Sequence, residues 1–143
     1  PSTPRSRGQA LVEFAFVAPI FFLILFGIID FGRYVYYVQI LNNAAREGAR
    51  YAIVHGSNSF QPSGPAPDDP KIEAVVRDYA VGVIGNGAVL NIDSTWGTPP
   101  NPPSNDRDQP VHVTVTYDFH SLIPVVPIPP ITITGESTLV INN

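Results

Sequence analysis

The hydrophobic pattern changes period along the chain, and each change marks an element. Residues 10–29, ALVEFAFVAPIFFLILFGII, form an unbroken apolar run whose only ionisable side chain is Glu13. About 20 apolar residues in a helix match a hydrocarbon core of about 30 Å. Beyond residue 29 the pattern becomes amphipathic. Val35, Val38, Leu41, Ala45, Ala49 and Ala52 recur at three- and four-residue steps, while Arg33, Gln39, Asn43, Arg46 and Arg50 lie elsewhere. Small residues (Ala44, Ala45, Gly48, Ala49, Ala52) permit close approach of another element. The two patterns join without a strong stop and predict one helix over residues 9–56, about 70 Å long. Pro19 is tolerated as a kink, and Gly56 is the expected end.

Residues 57–69, SNSFQPSGPAPDD, read as loop. A second helix follows, with Asp69 as cap, Pro70 at the first helical position, and an apolar stripe of Ile72, Val75, Val76, Tyr79, Ala80, Val83 and Ile84. Gly85 and Gly87 close it. Residues 88–95 are a short strand candidate. Residues 111–120 alternate, with Val111, Val113, Val115, Tyr117 and Phe119 on one face and His112, Thr114, Thr116, Asp118 and His120 on the other. The prolines of SLIPVVPIPP exclude a central strand and suit an extended connection. Residues 131–142 alternate again through Ile131, Ile133, Leu139 and Ile141. Three strands with one apolar face need a cover, which the helix stripes supply. The expected fold is α+β: a long transmembrane or assembly helix leading into a small head with one more helix and a three-stranded antiparallel sheet. Residues 1–8 form a basic leader or cytoplasmic segment, 9–56 the long helix, and 57–143 a head outside the cytoplasm.

Composition narrows function. The net charge is −4 with no basic stripe, so nothing favours nucleic acid. The absence of cysteine removes disulfides, zinc-thiolate sites and thiol catalysis. His112 and His120 share a strand face but stand roughly 25 Å apart, and His55 lies elsewhere, so no shared metal is expected. No catalytic or phosphate-binding motif appears, so an enzyme is not expected and no cofactor is implied. Arg5 and Arg7 precede the apolar run, as an N-in, C-out orientation requires. Removal of an initiator Met before Pro1 would leave PSTPRSRG as a cytoplasmic start. A secretory signal fits less well, because its apolar core is about 7–15 residues. Asp30 and Arg33 follow the run at a pairing distance of i, i+3. Tyr34, Tyr36, Tyr37 and Tyr51 divide between an interfacial belt and the head core.

Gly8-Gln9-Ala10-Leu11-Val12-Glu13-Phe14, behind arginines and ahead of an apolar run, resembles the processing site of type IV pilin-like proteins. There a prepilin peptidase cuts after a glycine, and a glutamate stands fifth in the mature chain. A carboxylate in hydrocarbon costs several kcal/mol unless paired. Glu13 either meets the new N-terminal amine of an adjacent subunit or snorkels to the interface beside Arg5 or Arg7. More broadly, RGQALVEFAFVAPIFFLILFGIIDFGRYVYYVQ and the later NNAAREGARYAIV resemble the TadE-like (TadE/TadG) family of tight-adherence, or Flp, pilus systems. This likeness covers about a third of the chain. The C-terminal part is similar only in style, and Asp30 stands where the family often has glutamate.

The resemblance implies a bacterial pilin-like or pseudopilin-like protein processed between Gly8 and Gln9, with Glu13, Phe14, Pro19, Asp30 and Arg33 serving assembly. Its implied partners are the membrane before assembly, prepilin peptidase, the pilus assembly platform, and copies of itself or other pilins meeting through the apolar helix. Its implied location is the inner membrane and then an extracellular filament. Arg46, Glu47 and Arg50 are either subunit contacts or, more simply, a solvated helix face. Three functional readings stand: a filament subunit, a minor pseudopilin priming assembly at the membrane, and a membrane-anchored surface-binding module. Major pilins of these systems are usually much shorter, which favours the second. The polar sheet face and Pro-rich loops suit an exposed filament surface and favour the first.

Overall fold

The computed structural model of the protein describes residues 7–84, 89–122 and 129–142, without the side chains of 7 and 81–84. The expected turn at Gly85 and Gly87 and most of the Pro-rich connection lie outside the described residues. Helix α1 spans Arg7–Val54, α2 spans Pro70–Ile84, and strands β1 (Leu90–Trp96), β2 (Pro110–Phe119) and β3 (Ile131–Val140) follow. The strands form one antiparallel sheet in the order β1-β2-β3. The fold is α+β, as the periodicities predict. Helix α1 runs through Pro19 and ends two residues before the expected stop.

Among the described residues, the second half of α1 carries the packing against the rest of the chain. Leu41, Ala44, Ala45, Ala49 and Ala52 are buried there, facing Ile72, Val76 and Ala80 of α2 and Val111, Val113 and Val115 of β2. We refer to this half of α1, with α2 and the sheet, as the sheet unit. Gly48 shows how tight the approach is: a Cβ there would lie 2.5 Å from Val76 Cγ2 and 3.3 Å from Val113 Cγ1. Gly135 is tighter still, because a Cβ would collide with the backbone of Leu41 and Asn42 on α1. Strand β3 therefore presses its main chain onto the helix at Gly135, where sequence alternation shows only a polar break between Thr134 and Glu136. Ile133 and Ile141 are buried and Leu139 is partly buried, whereas Ile131 remains half exposed.

The start of α2 is held by its cap. Asp69 accepts a bond from the Lys71 amide at 2.8 Å, and its carbonyl accepts the first helical bond from Glu73 at 3.0 Å. Its own amide donates to Ser94 Oγ at 3.0 Å. That bond places the one polar residue on the inner face of β1, between Ile92 and Trp96, against the cap. Strand β1 lies at 90–96 rather than 88–95, in the register that turns Leu90, Ile92 and Trp96 inward. In α2, Ile72, Val76 and Ala80 face the core, but Tyr79 is exposed.

Candidate functional site

The first half of α1 is apolar on every side, and among the described residues nothing covers its most apolar stretch. None of its most apolar stretch is buried, and Leu11, Phe14, Phe16, Ile20 and Ile28 are each more than half exposed. A helix that is hydrophobic all round is stable only in an apolar surrounding, such as a bilayer or other helices. Its own side chains supply some order: Phe21 meets Phe22 edge-on at 5.6 Å, and Phe22 stacks on Phe26 at 6.3 Å. Glu13 and Pro19 are both exposed, and Glu13 has no ion pair or hydrogen bond among the described residues. Gly8 and Gln9 are exposed in the first turn of α1, where a Cβ on Gly8 would meet nothing within 4 Å.

The apolar run ends on a polar clamp. Asp30 is buried although it follows directly on Ile29. One carboxylate oxygen accepts from Arg33 at 2.8 Å, and the other accepts from the Ser121 hydroxyl at 2.5 Å and the Leu122 amide at 2.9 Å. The i, i+3 pair with Arg33 is the one its spacing predicts. The bonds to Ser121 and Leu122, 91 and 92 residues away, tie the exit of β2 to α1. Burial by itself raises the Asp30 pKa, but the bonds from Ser121, Leu122 and Arg33 outweigh it and hold the group below the usual carboxylate range. Arg33 in turn lies 5.1 Å from the ring centre of Phe119 and 5.7 Å from that of Tyr37. Tyr34 and Tyr37 meet Phe119 edge-on at 5.9 and 5.8 Å, so these tyrosines belong to the packed side, while Tyr36 is exposed. Asp30 and Arg33 are thus engaged within their own chain, where they fix the apolar half to the sheet unit.

The remaining candidates are dispersed. Arg50 pairs with Glu47 at 3.3 Å on the exposed side of α1, and Arg46 is exposed beside them. His55 stacks on Tyr51 at 4.0 Å, His112 shares a 2.7 Å bond with Thr138, and His120 a 2.9 Å bond with the Asp118 carbonyl. Among the described residues no three metal-ligating side chains gather. Sequence reasoning missed Ser121, Leu122 and Gly135. Only Gly135, a lone glycine inside a strand pattern, carried a local signal.

Comparison with protein families matches residues 8–50 to the TadE-like protein family, the family that this stretch resembles by motif. The matched stretch holds the apolar half of α1, Asp30 and Arg33, and the first part of the packed half. No curated protein and no solved structure matches the chain. The family is a pilus-associated structural one, not known for enzymes, so the match points to a Tad-pilus-associated protein. The apolar helix and the family together support membrane anchoring.

Proposed function

We propose that this chain, TadE-like over residues 8–50, is a pilin-like structural subunit of a tight-adherence-type filament and polymerises through its N-terminal apolar helix. The observation that carries the reading is the apolar half of α1, unburied along its whole most apolar stretch and clamped at Asp30 to a folded unit. The bilayer holds that helix until it packs against copies of itself or other pilins. Arg5 and Arg7 keep the leader cytoplasmic, a prepilin peptidase cuts between Gly8 and Gln9, and the sheet unit stands outside the cytoplasm. Glu13 then meets the new amine of a neighbour. The assembly platform drives insertion of each subunit.

A minor pseudopilin that primes assembly is the second reading, favoured by the bulk of the sheet unit. Shearing fibres from cells and quantifying this chain in them separates the two. A filament subunit is present along the fibres in many copies. Confinement to membranes, with fibres intact but free of this chain, would overturn the subunit reading. A trace at fibre tips would support the priming role.

A further inference from the structure

The two Pro-rich connections between the strands differ in kind. Residues 97–109, GTPPNPPSNDRDQ, carry Asp106, Arg107 and Asp108 among other polar side chains. They lie at the far end of α1, where the Ser57 amide donates to the Asn105 carbonyl at 2.9 Å. The connection from β2 to β3 reads LIPVVPIPPI from Leu122 to Ile131 and holds no polar side chain. Its described ends, Leu122, Pro129, Pro130 and Ile131, are all exposed. Strand connections run over the surface and are normally polar, so an apolar one calls for a neighbour other than water.

The level of that connection is set by the apolar run. Helix α1 is continuous from Arg7 to Val54, so no linker separates the run from the sheet unit. The run ends at Ile29, and the next residue, Asp30, accepts the Leu122 amide at 2.9 Å. Ile131 stands opposite Phe119 in the sheet, and the Phe119 ring centre lies 5.1 Å from the Arg33 guanidinium. Both ends of the connection are thus tied to the first turn beyond the run. Headgroups extend about 5–7 Å beyond the hydrocarbon on each side, the rise of about four helical residues. Leu122, Ile131 and the exposed Phe31 of α1 fall within that layer, whereas Val54 stands about 37 Å beyond Ile29. Apolar and aromatic side chains are favoured at this boundary. The Asp30 and Arg33 charges at the same level pair at 2.8 Å, so lipid beside them strands neither.

We propose that the sheet unit is seated on the bilayer rather than held clear of it. Leu122 and Ile131, with Phe31 of α1, rest among the headgroups and first acyl carbons where the span ends. The inference rests on the membrane anchoring of α1 and on neither reading of the filament.

The chain has no native cysteine, so a single cysteine reports one place. Leu122→Cys and Ile131→Cys are labelled with bimane and reconstituted as full-length chains into phosphatidylcholine vesicles. Ile28→Cys in the span and Phe60→Cys at the far end are the references; both native side chains are exposed. Lipid spin-labelled near the top of its acyl chain should quench the labels at 122 and 131 at least twofold, as at 28. Aqueous iodide should quench the label at 60 and spare those at 122 and 131. Labels at 122 and 131 that behave like the one at 60, while 28 is quenched by lipid, overturn the seating and leave the anchoring intact. An unquenched label at 28 overturns the anchoring and the seating together. Pro129→Cys, exposed and bordering the same surface as Phe31, serves in place of either rim variant that lowers the melting temperature.

Discussion

Two residues set how the helix and sheet are joined, and each makes a separate prediction. At Gly135 the strand backbone lies where any side chain would strike the Leu41 and Asn42 backbone of α1. Backbone cannot rotate away as a side chain can, so Gly135→Ala must push β3 off the helix. Overpacking of this kind costs about 1–3 kcal/mol. The expected result is a melting temperature lowered by several degrees in a detergent-solubilised chain; an unchanged melt would show that the strand can shift freely. Asp30 acts through charge. Its pKa is held below the ordinary value in the folded chain, so its stabilising contribution is complete above about pH 4, the unfolded carboxylate value. The contribution is lost as pH falls through the lower folded value. Asp30→Asn, which leaves the Ser121 hydroxyl and Leu122 amide with a poorer acceptor, should cost about 1–3 kcal/mol at neutral pH. It should also flatten the acid limb of a melting-temperature profile, and a variant that keeps the native acid limb would mean that Asp30 is not the group responsible.

At the scale of elements, the apolar half proposed to assemble and the half that packs are one continuous helix with two surfaces. Glu13 sits in the apolar half without a partner among the described residues. If a neighbour's amine neutralises it, Glu13→Ala should reduce sheared fibre yield at least tenfold and leave the sheet unit's melting unchanged. Normal yield from Glu13→Ala would favour the snorkelling alternative. Legibility followed the range of each interaction. The Asp69-Pro70 start of α2 and the alternation of β2 are local, and both stand where the sequence puts them. Strand β1 was blurred because Ser94, polar on an inner face, reads as a break until its bond to the Asp69 amide is seen. Gly135 interrupts β3 for a reason that lies on another element. The partners of Asp30 were invisible, since nothing local joins position 30 to positions 121 and 122. The spacing to Arg33 disclosed only the nearer half of the clamp.

On the scale of the whole molecule, the proposed assembly requires the apolar helix to leave the bilayer. A leader carrying Arg5 and Arg7 opposes that step, because two cations would have to be desolvated or dragged into a helix-lined core. The proposed removal of the leader between Gly8 and Gln9 would resolve the conflict and create an amine four residues from Glu13, on the same helical face. The proposed cut would fall where a protease can reach. It lies in the first turn of α1, where amides lack helical partners and local opening is easy, and Gly8 offers no side-chain obstacle. Sequencing the N-terminus of fibre-borne chains should therefore give Gln9 as the first residue. Gly8→Leu has open space in the folded chain, so it should fold normally, remain uncut and accumulate in membranes with fibres lost. Fibre-borne chains that retain residues upstream of Gln9 would refute this order of events, and would make Arg5 and Arg7 the groups that neutralise Glu13 inside the fibre.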